Sequence, residues 1–299
     1  MDILAAIAVD SIVYASWLFL VSVGLTLIYG VMKLLNVAHG SLYALGAYLA
    51  SWGIGLYTNG SVDTDIGVYL IILLSAFVIG LFFGLIIERC LLKHMYGLDE
   101  IVIVLATYAV FLILEDFMKL VFGVESYLPY QPRYLFGTIE IYGLAYVVYD
   151  LCIVLLSLIL GTLLWLGIHF TRQGKLLSAV ITDNEIASAI GINVSKYFMF
   201  TFMIGATLGA LGGAVTSPMI SVVPGLGVEV IVLAFAVVVT GGLGSIGGAA
   251  IGSIIVGFGR TSAVFLMPEL ELFVVFAVMA IVLAFRSEGL FGKKIVRKI

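Results

Sequence analysis

Apolar runs alternate with short polar breaks along nearly the whole chain, and the runs have the length of helices that cross a bilayer. A spanning helix needs about 20 mostly apolar residues. Such runs lie at about 12–30, 41–57, 66–87, 101–122, 146–170, 197–217 and 271–285. A further stretch, 228–258, is too long for one span and is interrupted at 240–248 by a glycine-rich turn, so it reads as two segments. The pattern predicts an all-α, polytopic transmembrane protein of eight or nine spans, some of them broken. The chain reads as one transmembrane domain over 1–299. The turn Asn59-Gly60-Ser61 with Asp63 separates the second and third spans. The segment 123–143, with Pro129, Pro132 and Arg133, reads as a loop outside the membrane.

The longest polar interval in the second half, 172–196, is predicted to form a short amphipathic helix between two turns. Ala179, Ile186, Ala187, Ile190 and Ile192 recur at near-helical spacing, with Thr182, Asp183, Asn184 and Glu185 among them. Gly191 suits a left-handed helix end. A solvated loop bearing basic charges is one account of this interval. A small-residue helix inserting into a groove of a soluble partner is the other.

Composition supports burial in lipid. The chain is 63% hydrophobic and 11% charged, against about 25% charged in soluble domains, and its mean hydropathy is +1.25. The 34 glycines fit helices packed backbone to backbone. A net charge of −4 argues against nucleic acid as a partner. Cys90 and Cys152 form no disulfide framework, and no His or Cys spacing suggests a metal site. The opening MDILAAIAVDS lacks a basic region, so no cleavable signal peptide is expected.

Basic residues set the expected orientation. With 172–196 in the cytoplasm, Lys33, Arg89, Lys93, Arg172, Lys175, Lys196, Arg286, Lys293, Lys294, Arg297 and Lys298 fall inside, and only Lys119, Arg133 and Arg260 fall outside. The C-terminus is then cytoplasmic. Glu115, Asp116 and Lys119 sit near the outer end of a span, where snorkelling to the interface is the expected behaviour. Glu115 and Lys119 are placed to pair at i,i+4.

Two breaks carry candidate transport chemistry. Asn36-Val37-Ala38-His39-Gly40-Ser41 follows the first span after only a few residues, and Thr240-Gly241-Gly242-Leu243-Gly244-Ser245 interrupts the last third. Irregular backbone at membrane depth is tolerated only where protein or a water cavity satisfies it. Paired glycine-interrupted segments point to a substrate path, so Asn36, His39, Gly40, Ser41, Thr240, Gly241, Gly242, Gly244 and Ser245 are path candidates. The two breaks are expected to meet near the centre. Simple helix packing is the competing account of the glycines.

Asp183-x-Glu185-x-Ala187-x-x-x-Gly191-Ile192, preceded by Gly174-Lys175, resembles the coupling loop of ABC importer permeases. The stretches 24–30 and Asn36-x-Ala38-His39-Gly40 resemble the LivH-type permeases of branched-chain amino acid importers. So does 240–249, where that family usually has proline in place of Gly247. The acids Glu115-Asp116 depart from the amides common there. The resemblance covers nearly the whole chain. It implies a permease subunit in the cell inner (plasma) membrane, working with a second homologous permease, two cytoplasmic ATP-binding subunits and an extracytoplasmic substrate-binding protein. Thr182, Asp183, Asn184, Glu185, Ala187, Gly191 and Ile192 would form the ATPase-coupling contact. ATP and magnesium would be bound by the partner subunits. No cofactor or enzymatic activity is expected here, because the nearest approach to a phosphate-binding loop, Gly174-Lys175, has His169 where the upstream glycine is required. The implied cargo is leucine, isoleucine or valine, carried without a tight charged site. A urea or short-amide permease is the nearest rival. An ion-coupled secondary transporter would want ionisable groups at mid-membrane.

Overall fold

The computed structural model describes residues 2–58, 65–141 and 143–292. The expected turn at Asn59-Gly60-Ser61 with Asp63 and the tail cations Lys293, Lys294, Arg297 and Lys298 lie outside them. The described chain is built of α1 (Asp2–Met32), α2 (His39–Thr58), α3 (Gly67–Cys90), α4 (Glu100–Phe122), α5 (Gln131–Tyr134), α6 (Val148–Phe170), α7 (Arg172–Thr182), α8 (Asn184–Ala189), α9 (Val194–Thr216), α10 (Leu226–Gly241), α11 (Ile246–Leu266) and α12 (Glu271–Phe285). A two-stranded antiparallel hairpin, β1 (Thr138–Ile141) and β2 (Leu144–Val147), interrupts the 123–147 loop. Among the described residues, seven helices are long and apolar enough to cross a membrane: α1, α3, α4, α6, α9, α11 and α12. The other two apolar helices, α2 and α10, are the discontinuous ones.

The central helix is α9. It packs against α1, α2 and α3, and its small residues, among them Gly205, Ala206, Gly209, Ala210 and Gly213, are buried. At Gly213 a Cβ would lie 1.9 Å from the Tyr43 carbonyl oxygen of α2. That approach brings backbones together where lipid offers no hydrophobic drive between helices. In contrast, α6 and α12 present most of their apolar residues outward, as lipid-facing helices do.

The helix ends separate two faces. Lys33, Arg89, Lys93, Arg172, Lys175, Lys196 and Arg286 lie at the ends or turns of one face, hereafter the basic face. The Arg89 guanidinium reaches Met199 Sδ at the start of α9, and the α10–α11 turn packs on Gly30 near the end of α1. Lys119, Arg133 and Arg260 lie toward the opposite face. There Arg133 holds Asp150 through two hydrogen bonds of 3.1 and 2.7 Å, fixing α5 on α6. The Asp150 bond raises the Arg133 pKa against the opposing effect of burial. On the basic face, the Tyr96 hydroxyl donates to Glu88 at 2.6 Å. Burial, then the Glu88 carboxylate, pushes the Tyr96 pKa up, so this bond stays made at neutral pH.

Candidate functional site

The first break returns into the protein rather than crossing between faces. α1 ends at Met32, and the next residue, Lys33, adopts a left-handed φ of 55° with its N–H bonded to the Tyr29 carbonyl. Residues 34–38 then run back alongside α1. His39 begins α2 with Nε2 3.0 Å from the Val21 carbonyl. Val21 is eleven residues before the end of α1, so α2 starts about 16 Å in from the basic face. The His39 ring fills space left by two glycines. A Cβ at Gly24 would lie 2.9 Å from its Cε1, and one at Gly209 2.7 Å. From α4, Thr107 Oγ1 accepts the Val37 N–H at 3.2 Å, and Ser41 Oγ donates to the Phe111 carbonyl at 3.2 Å.

A second return enters from the opposite face. Residues 217–225 descend before α10 begins, tied at Val222 to Tyr127 by a reciprocal pair of backbone bonds of 2.8 and 3.0 Å. Gly225, at φ 90°, turns the chain into α10. Its N–H is accepted by Glu115 Oε2 at 3.2 Å. Glu115 is buried, 7% exposed, and its carboxylate sits at the positive end of α10. A Cβ on Gly40 would lie 2.3 Å from the Gly227 carbonyl oxygen. The starts of α2 and α10 therefore meet inside the protein.

Around this meeting point several buried polar atoms have no partner: both side-chain amide atoms of Asn36, His39 Nδ1 and Glu115 Oε1. Asn36 and His39 are fully buried. Buried polar groups are ordinarily hydrogen-bonded. A cluster of unpaired ones, at discontinuous helix starts, makes this junction the candidate site.

The structure corrects the sequence reading here. Asn36, His39, Gly40 and Ser41 do come together, but Thr240, Gly241, Gly242, Gly244 and Ser245 do not join them. Gly227 and Gly241 lie at opposite ends of α10, about 21 Å apart along its axis. The 240–245 turn packs instead at the basic face, where the Thr240 hydroxyl is buried without a hydrogen-bond partner. Gly244 lies against Gly30, Ser245 Oγ accepts the Gly248 N–H at 3.0 Å, and the Thr240 and Gly241 carbonyls accept from Leu290 and Phe291. What meets the first break is the start of α10 and Glu115. Glu115 does not snorkel, and Lys119 pairs with Asp116, at 3.0 Å, rather than with Glu115. The signal for Glu115 was an acid seven residues inside an apolar run, which marks a functional or buried position by default.

The 172–196 interval forms two helices, not one. Asp183 ends α7 and caps α8, its Oδ1 accepting the Glu185 and Ile186 N–H groups at 3.0 Å each. Gly191, at φ 89°, closes α8. Its N–H bonds the Ser188 carbonyl, and the Ile192 N–H bonds that of Ala187, which is the Schellman arrangement. Ala187 is buried against the protein, whereas Thr182, Asn184 and Glu185 are exposed. Ile186 and Ile190 are 62% and 69% exposed, so the apolar repeat is split between two faces. The corner is held to α9 by the Tyr197 hydroxyl, which donates to Gln173 at 2.7 Å. Beneath it lies an apolar crevice of about 840 Å³ between α6, α7 and α9.

Discontinuous helices whose starts meet inside a bundle, with an exposed two-helix corner on the basic face, define a polytopic transport subunit. Residues 7–283 match the family described as branched-chain amino acid transport system / permease component, and the chain belongs to that family. It is 27% identical to the high-affinity branched-chain amino acid transport system permease protein LivH of Salmonella typhimurium over 285 residues, covering 94% of this chain and 92% of that protein. The BraD permease protein of the corresponding system in Pseudomonas aeruginosa is 26% identical over 298 residues, covering 97% and 96%. A protein described as a probable LivH of Methanocaldococcus jannaschii is 28% identical over 258 residues, covering 84% and 78%. No solved structure matches this chain at a significant level.

Proposed function

We propose that this permease carries leucine, isoleucine and valine across the cell inner membrane by alternating access, driven by partner ATPases. The observation that carries the reading is the junction of α2 and α10, where Asn36 and His39 are buried with unpaired polar atoms. Such groups favour a solute that brings its own donors and acceptors. The substrate class is that named for the similar permeases. The basic face is cytoplasmic by the positive-inside rule, and the C-terminus lies on that side.

On this reading, α8 is the contact for a cytoplasmic ATP-binding subunit. Ile186 and Ile190 are an apolar pair for a groove, and Glu185 is a charge for a basic rim. Thr182 and Asn184 flank that contact, while Asp183, Ala187, Gly191 and Ile192 shape it. Two ATP-binding subunits, a second homologous permease and an extracytoplasmic substrate-binding protein complete the machine. ATP and magnesium are bound by the ATPases. Movement of the corner and closure of the path must favour the same state for the two to be coupled.

The test is transport by the assembled system in vesicles. Saturable uptake of labelled leucine, displaced by isoleucine and valine but not by urea or acetamide, is expected. Uptake of urea or acetamide without leucine uptake overturns the substrate assignment.

A further inference from the structure

The crevice beneath the α7–α8 corner, about 840 Å³ in volume, takes no part in the transport reading. One wall runs from Leu163 to Thr171, at the end of α6, and the other from Lys196 to Ile204, at the start of α9. Each wall is about 12 Å long at the rise of an α-helix. Half of a hydrocarbon core about 30 Å thick is about 15 Å. α6 ends and α9 begins at the basic face, so the crevice opens there and reaches inward by about the depth of a single leaflet.

The lining is graded along that depth. Its inner part is apolar, with Leu27, Leu163, Leu164 and Ile204. Gly167 lines it without a side chain, and a Cβ there would meet no atom within 4 Å. At the mouth stand Gln173, Asn193 and Lys196, all exposed. Lys196 Nζ lies 5.9 Å from the Phe200 ring centroid. It has no carboxylate partner among the described residues, and neither have Arg172 and Lys175 in the first turn of α7. The oxygens of the two amides are engaged. Gln173 Oε1 accepts from the Tyr197 hydroxyl at 2.7 Å, and Asn193 Oδ1 accepts the Lys196 backbone N–H at 3.1 Å. Their NH2 groups are left as donors. Trp165 and Phe170 on α6 are 50% and 68% exposed at this level, where aromatic rings mark the headgroup region.

Positive-inside charge would account for cations on this face, and bulk lipid tails would fill any groove. Neither accounts for an uncompensated lysine and two amide donors set at the mouth of an apolar slot one leaflet deep. We infer that the crevice binds an anionic phospholipid of the leaflet on the basic face. One acyl chain lies between α6 and α9, and the phosphate is held at the mouth by Lys196 and the amides of Gln173 and Asn193. Basic pockets between spanning helices suit such headgroups. The site shares no residue with the α2–α10 junction and does not depend on the cargo. Gly191 and Ile192, which close α8, line the same mouth, so the bound lipid braces the corner against α6 and α9.

The test is native mass spectrometry of the full chain in detergent. It is titrated with dioleoylphosphatidylglycerol or with dioleoylphosphatidylcholine, which carries the same tails on a zwitterionic headgroup. One phosphatidylglycerol is expected to bind at least about fivefold more tightly than phosphatidylcholine, the effect of one cation near a membrane surface. Glycerol phosphate, a headgroup without tails, is expected not to compete. Lys196→Gln is expected to weaken phosphatidylglycerol about fivefold and to leave phosphatidylcholine unchanged. Gly167→Leu, which fills the slot where space is open and favours the helix over glycine, is expected to abolish tight binding of both lipids. Equal affinity of the two lipids for the parent chain overturns the site, as does a preference that survives both variants. Displacement by glycerol phosphate makes it a site for free phosphate and overturns the lipid assignment. A dimer of the parent chain that Gly167→Leu dissociates, with lipid binding unchanged, gives the crevice to a second copy and overturns it as well.

Discussion

Asn36 is the residue whose burial has no structural return. Its side-chain amide is fully buried and makes no hydrogen bond, and leaving such a group unpaired costs about 1–3 kcal/mol. Asn36→Leu removes that cost and is expected to hold or raise the unfolding temperature of the purified protein while lowering leucine uptake. Equal losses in both would make Asn36 a packing residue. Glu115 is the opposite case, since its carboxylate satisfies Gly225 N–H and the start of α10. Glu115→Ala is expected to cost about 1–3 kcal/mol in thermal unfolding, and Glu115→Gln, which keeps an acceptor, clearly less. Asn36 and His39 were legible in the sequence because they interrupt an apolar run. The place of Glu115 was not, since a carboxylate in a span is equally compatible with an interface and with a helix start arriving from 110 residues away.

At the scale of elements, α8 is a six-residue helix fixed by its two ends. Asp183→Ala removes its N-terminal cap at a cost of about 1 kcal/mol. Gly191→Ala forces a Cβ into a left-handed turn at a further cost of about 1 kcal/mol. Both are expected to speed amide exchange over 184–191 and leave α9 protected, as read by hydrogen-exchange mass spectrometry. Exchange rising through α9 as well would show that the corner and the bundle unfold together. Glu185→Arg changes only the exposed surface, so it is expected to leave exchange unaltered and to weaken capture of the ATP-binding subunit. Most spans were legible nearly to their ends, because length and hydropathy fix them, but α1 begins ten residues before the expected 12 and α11 runs eight residues past the expected 258. The split at Asp183 was not, although an aspartate that can cap backwards and forwards is a local signal. The hairpin of β1 and β2 was also hidden, since four-residue strands outside the membrane carry little periodicity.

For the whole molecule, central α9 joins two features: the α2–α10 junction inside and the α7–α8 corner on the basic face. Gly209 packs on His39 at one level, and Tyr197 bonds Gln173 of α7 at the other. A rigid helix gripping both sites is a means by which displacement of the corner changes the junction. The sequence displayed both breaks but could not say which partner each would find. Pairing of breaks is set by how α10 is oriented, and its apolar run reads the same in either direction. The most direct measurement is leucine uptake into vesicles holding the assembled system, with ATP trapped inside and ion gradients collapsed. Uptake that requires the internal ATP, and that falls to background in Glu185→Arg combined with Gly191→Trp while the protein remains in the membrane, is the expected result. Uptake that persists without ATP, or that is unchanged in that variant, contradicts the account.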